Sequence, residues 1–223
     1  MIRWTSILAL LLLSTPALRA GEILDGIAVT VNGHVILQSD WQGEVRYEFF
    51  VTGRPLDAAT PKDRKAALDR LIDQELINEQ MSPSEQKPPS PEEIEKQFEI
   101  VKREYAGDSP QAWNAALLNY QLTDADMKDH IASQLSQLRL VDAHLRPSIQ
   151  IETAAVDAYY KAHLSTAPSG GRPLSLKEAT PKIRELLTQE KMNELLGPWL
   201  ESLRSQAQIK MFVSDSSQTQ GQQ

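Results

Sequence analysis

GIAVTVNGHVILQSDW, residues Gly26–Trp41, decides the fold. Ile27, Val29 and Val31 alternate with smaller or polar residues up to Asn32-Gly33, and Val35 and Leu37 lead away from it. An Asn-Gly pair between β-branched runs predicts a hairpin, because a type I′ turn needs positive φ at both central residues. Ser39-Asp40-Trp41-Gln42 follows with the spacing of a capping box, so a helix is expected from Trp41. A lone hairpin is marginal in water and needs a third strand or a packed helix. The stretch that reads as that strand is Gln208–Val213, QIKMFV, near the other end of the chain. The expected architecture is mainly α, with a small antiparallel sheet formed by the N-terminal hairpin and the C-terminal strand.

Between the two lie segments with apolar residues at helical spacing and readable starts. The first, to about Val51, carries the stripe Trp41, Val45, Phe49 and stops at Gly53-Arg54-Pro55. Thr60-Pro61 opens the second, with Leu68, Leu71, Ile72 and Leu76 on one face. After the polar stretch Met81–Ser90, Ser90-Pro91-Glu92-Glu93 opens a helix bearing Ile94, Phe98, Val101 and Tyr105. Ser109-Pro110 starts a short one bearing Trp113, Ala116, Leu117 and Tyr120. Thr123 caps a longer one, with the expected stripe Met127, Ile131, Leu135, Leu138, Val141 or Asp142, and Leu145. Thr153 opens a sixth, with Val156 inside. Beyond STAPSGGRP, Ser175-Leu176-Lys177-Glu178 caps a long amphipathic helix. Pro181 should kink or restart it, and Gly197-Pro198 should bend it.

The ends carry their own signals. Residues 1–20 have a short basic start, an apolar run Ile7–Leu13 and a small residue at Ala20, which predicts a secretory signal peptide cleaved there. The alternative is an uncleaved anchor, although the run is shorter than the about 20 apolar residues that span a bilayer. The expected organisation is a leader at 1–20 and one domain at 21–213. That domain comprises an N-terminal segment 21–164, a linker 165–174 and a C-terminal helix and strand 175–213. A disordered polar tail follows at 214–223. Losing the leader removes Arg3 and Arg19 and no acid, so the formal charge of −7 becomes −9. An acidic chain without a basic block is a poor candidate for nucleic acid or anionic membrane. The chain has no cysteine, which excludes disulfides, thiolate metal sites and a lipid anchored on cysteine.

No catalytic constellation is legible. H-E-x-x-H, G-x-S-x-G, the P-loop and the dinucleotide fingerprint are absent from the sequence. Glu92, Glu93 and Glu95 read as acids favoured by a helix N-terminus. His130 and His144, fourteen residues apart on one helix, stand about 21 Å apart, too far to share a metal. His34 beside the turn and His163 near a helix end read as solvated or capping histidines. Neither a catalytic, a cofactor nor a metal site is expected. The candidate binding residues are Tyr47 and Phe50, which lie off the Trp41/Val45/Phe49 stripe. If the first helix buries only that stripe, they are exposed aromatics able to mark a binding surface. The alternative, which we favour, is a helix buried on both sides.

The ordered set of segments resembles the SurA family of periplasmic chaperones. The residues that carry it are DGIAVTVNGHVILQSDW at Asp25–Trp41, ALDRLIDQELINEQ at Ala67–Gln80, QLTDADMKDHIASQL at Gln121–Leu135 and IQIETAAVDAYY at Ile149–Tyr160. PLSLKEATPKIRELL and WLESLRSQAQIKMF, towards the end, look like that family's C-terminal helix and strand. Members usually insert parvulin-type peptidyl-prolyl isomerase domains after the segment matching Asp157–Tyr160. Such a domain needs on the order of a hundred residues, and here Ser165–Pro173 bridges the gap, so no isomerase residue carries over. The resemblance implies a chaperone core without an enzyme: an ATP-independent, periplasmic holdase for unfolded polypeptides, with outer-membrane β-barrel precursors as clients. The other readings are an isomerase-related protein or accessory subunit, and a structural envelope protein bound to a fixed partner.

Overall fold

The computed structural model describes residues 25–80, 88–164 and 175–213. The expected leader and tail and the linker 165–174 lie outside them. Strand β1 (Ile27–Val31) turns through Asn32-Gly33 into β2 (His34–Leu37). Asn32 has φ 49° and Gly33 φ 96°, the positive values that a type I′ turn demands. β3 (Ile209–Met211) adds antiparallel to the free edge of β1, giving the order β2-β1-β3. The expected junction of the two ends is therefore present. Asn32 closes it at the tip: its N–H donates to the Gln208 carbonyl at 3.0 Å, and its Oδ1 accepts the Gln208 N–H at 2.7 Å.

Seven α-helices accompany the sheet among the described residues: α1 (Gln38–Thr52), α2 (Pro61–Asn78), α3 (Pro91–Ala106), α4 (Pro110–Asn119), α5 (Asp124–Leu145), α6 (Thr153–His163) and α7 (Leu176–Gln206). Thr60, Ser90, Ser109, Thr123 and Ser175 cap as their spacing predicts, each hydroxyl accepting the N–H three residues on. α1 departs from expectation. It starts directly after β2, with Asp40 accepting the Leu37 N–H at 2.9 Å, while Ser39 turns instead to Asp25. It ends at Gly53, whose φ of 64° suits the left-handed cap that glycine adopts without a Cβ penalty. α6 begins at Thr153, as expected, with Glu152 as its cap.

α7 neither breaks nor restarts at Pro181, and it continues through Pro198. Pro181 stands in the second turn, where its missing N–H forfeits only one bond, and Thr180 Oγ1 donates to the Leu176 carbonyl beside it. The N-terminal half of α7 packs Ala179 and Ile183 on Val156 of α6. Its C-terminal end lies on α2, where the Arg204 guanidinium bonds Asp73 Oδ1 at 2.6 Å and the Asp69 carbonyl at 2.8 Å.

One core lies under the sheet: Ala28, Val29, Val31 and Ile36 against Leu68, Ile72 and Leu76 of α2, with Leu203, Ile209 and Val213 at its margin. Another is helical and aromatic, built from Tyr47, Phe50, Phe98, Trp113, Leu117, Leu122, Met127 and Ile131. Packing decides exposure where alternation alone does not. Met211, paired with Val29, is 55% exposed, because it stands at the end of a short edge strand. On α5, Leu138 is 65% exposed and Leu140 is buried. α5 packs against α3, α2 and α7, so no single stripe stays inside over its 22 residues.

Truncation after Ala207 removes β3, its ladder and the half-buried Ile209 and Val213. At about 0.5–1.5 kcal/mol per hydrogen bond and up to about 1.5–3 kcal/mol for a fully buried aliphatic side chain, the loss is several kcal/mol against a typical margin of about 5–15 kcal/mol. The shortened protein should melt much lower, and the Asn32 amide should lose its protection from hydrogen exchange. A melting temperature equal to that of the full chain would contradict this account.

Candidate functional site

Tyr47 and Phe50 are not on the surface. Tyr47 is 9% and Phe50 2% exposed, because α1 is covered on both sides. Val45 and Phe49 meet Ala67 of α2 on one side, and Tyr47 and Phe50 meet α3–α5 on the other. Phe50 stands amid Tyr105, Trp113 and Tyr120, with ring centroids 4.7, 5.8 and 5.6 Å away. Of the Trp41/Val45/Phe49 stripe, Val45 and Phe49 are buried as read and Trp41 is half-buried. Of the two readings, the favoured one is observed: a helix between two layers has two buried faces, and Tyr47 and Phe50 lie in the second.

Beside Tyr47 lies a charged centre that periodicity gives no hint of. Glu44 is 5% exposed and accepts from Arg70 Nε at 2.9 Å. Arg70 also reaches Glu48, with Nη2 3.2 Å from its Oε2. His130 Nδ1 stands 3.7 Å from Glu44 Oε2, and its ring stacks on Tyr47 with centroids 4.1 Å apart. The Tyr47 hydroxyl accepts from Gln134 at 2.8 Å, and burial pushes its pKa up. Burial pushes the His130 pKa down, against the opposing pull of Glu44. This centre opens into a cleft of about 560 Å³ whose lining includes Asp40, Glu75, Asp126 and Asp129 against Arg46. Its balance is acidic.

A second concavity has the opposite character. Between α5, α7 and the end of α2 runs a groove of about 330 Å³. Its walls are Ile77, Leu138, Val141, Met192, Leu196 and Leu200, and the remaining lining is Gln134, Gln137, Gln189 and Asn193. In a chain that is 24% charged, none of these ten residues carries a charge. Leu138, the exposed departure from the α5 stripe, stands in this groove. Sequence reading missed it because its two walls lie about fifty residues apart and meet only through the packing of α7 on α5.

Histidine positions follow the sequence reading in part. His144 stacks on Trp199 of α7 at 4.4 Å, and His163 lies against Tyr159 at 4.5 Å. His34, beside the turn, has Nδ1 3.3 Å from Glu75 Oε1.

No family model matches the chain, and no curated protein matches it. Among solved structures, a chain from Campylobacter jejuni aligns over 85% of this chain and 100% of its own, at 12% identity and a TM-score of 0.47. It comes from work on the virulence factor PEB4 and the periplasmic protein Cj1289, described as two structurally related SurA-like chaperones. The likeness is too distant to carry function.

Two outcomes test the buried centre. Phe50→Ala should cost about 3–5 kcal/mol, as aromatic truncation in a core does, and lower the melting temperature sharply. His130 has a folded pKa below its ordinary 6.5, so the unfolded chain binds the extra proton first. Its contribution to stability is complete above that value and is lost as pH falls from about 6.5 towards the folded pKa. His130→Gln should therefore flatten the slope of melting temperature between about pH 7 and 5; an unchanged slope would remove His130 from the account.

Proposed function

We propose that this protein is an exported, ATP-independent chaperone that holds unfolded polypeptides, with outer-membrane β-barrel precursors as its clients. The groove between α5 and α7 carries the reading. Apolar walls bury client side chains at about 25 cal/mol per Å² removed from water. The amide side chains of Gln134, Gln137, Gln189 and Asn193 can both donate to and accept from an extended backbone. With no charge in the lining, nothing there rejects a client for its own charge pattern, which is how tolerant binders differ from specific ones. A volume of about 330 Å³ takes a few side chains of a chain passing through and not a folded domain. The ordered resemblance in sequence supplies the compartment and the client class, and an acidic, cysteine-free chain with a leader-like start is compatible with export.

The test is an aggregation assay with an unfolded outer-membrane barrel protein at near-stoichiometric ratio, without nucleotide. The wild-type chain should suppress aggregation. Leu138→Glu places a charge in the groove at a position 65% exposed, where substitution changes stability by no more than about 0.5 kcal/mol. It should weaken holding while leaving the melting temperature unchanged. Full activity in that variant would place client binding elsewhere, and failure of the wild type would end the chaperone reading.

A further inference from the structure

The tip of the hairpin and the end of α2 bring together three groups with the chemistry of a metal site. His34 follows the turn, Glu75 stands in the last turn of α2, and Glu79, four residues on, is the residue that caps its end. One ligand atom from each lies within 4.8 Å of the others. His34 Nδ1 is already 3.3 Å from Glu75 Oε1. Asn32 Nδ2 donates to Glu79 Oε2 at 2.5 Å, which fixes that carboxylate from behind. Its other oxygen, Oε1, is buried and has no hydrogen-bond partner among the described residues. A buried carboxylate oxygen without a donor is costly and uncommon in folded proteins.

We propose that His34, Glu75 and Glu79 bind a divalent first-row transition ion, with Zn²⁺ as its physiological type. An imidazole nitrogen with two carboxylate oxygens suits zinc, whereas Mg²⁺ and Ca²⁺ select oxygen-only sets. Zinc bonds of about 2.0–2.2 Å put tetrahedral ligand atoms about 3.4 Å apart. The cluster needs a modest contraction to reach that spacing, and the His34 side chain, 64% exposed, is free to swing to supply it. A carboxylate of Glu79 with one oxygen free of hydrogen bonds among the described residues has a donor position for the ion, which also screens it from the neighbouring Glu75. Water completes the fourth position. Asn32 acts behind the site by orienting a ligating carboxylate, and the same side chain holds the Gln208 N–H. The bound ion thus fastens the hairpin tip to α2 at the point where β3 enters the sheet. The site is separate from the α5–α7 groove and does not depend on the chaperone reading.

The full chain, stripped with chelator, is titrated with Zn²⁺ by calorimetry and melted with and without the ion. Co²⁺ is added in parallel as a coordination probe. One equivalent should bind and raise the melting temperature, as any ligand of the folded state does, and Co²⁺ should give the visible absorption of a four-coordinate site. His34→Ala, at an exposed position that cannot upset folding, and Glu79→Gln, which keeps shape, should each weaken Zn²⁺ by at least about tenfold, the lower end of what disturbing a metal site costs. His163→Ala should leave binding unchanged. The proposal is overturned if no Zn²⁺ binds, if His34→Ala binds it as tightly as wild type, or if Mg²⁺ competes on equal terms.

Discussion

Strand β1 has two edges, and the structure depends on both being paired. A hairpin alone pairs only one of them, and β2, with four residues, is too short to hold a sheet together by itself. The second edge is filled by β3, whose residues stand about 180 positions further along the chain. This pairing is of very high contact order, so the entropy of closing the chain is met before the sheet contributes. The compensation is local and dense. Val29 and Val31, inaccessible to solvent, meet Leu68, Ile72 and Leu76, and Arg204 and Asn32 tie down the two ends of the incoming segment. The helices between the strands are thereby held between two fixed points.

α1 is the element on which the two cores meet. Its Phe49 belongs to the side packed on α2, and its Phe50, the next residue, to the aromatic cluster of α3–α5. A helix in that position has no solvent face wide enough for its polar residues. Glu44 is consequently buried, and Arg70 neutralises it. Breaking such a pair by removing one partner leaves an uncompensated charge inside and costs about 3–5 kcal/mol. The pair fixes how α1 and α2 sit on each other, because Arg70 must reach both Glu44 and Glu48 at once.

What was legible in the sequence was local. The turn at Asn32-Gly33, the five hydroxyl caps and the prolines at helix starts are each decided within four residues, and all are present. The closure of the sheet was legible too, because an unpaired hairpin edge demands a partner and QIKMFV supplied one. What escaped reading depends on neighbours distant in sequence. Ser39 has the right spacing to cap α1, yet β2 runs into the helix without a break and Leu37 becomes its boundary. For Tyr47 and Phe50 the second layer over α1 decides between the two readings, in favour of burial. Leu138 and Leu140 exchange their expected roles because α5 packs against α3, α2 and α7. His34 looked solitary, since Glu75 and Glu79 reach it only after α2 folds back beneath the hairpin.

α7 links the closed sheet to the open groove. Leu196 and Leu200 line the groove, and Leu203 and Arg204, within a turn of them, are already packed and hydrogen-bonded on α2. Two turns beyond Leu200 the chain enters β3. The height of the groove wall above α5 is therefore set at one end by the sheet and at the other by Ile183 seated on α6. Between those anchors Met192 is buried and Trp199 stacks on His144 of α5, so the wall is seated along its length. The shape of the groove therefore follows from where α7 is anchored on the sheet, α5 and α6, and not from the residues that line it alone.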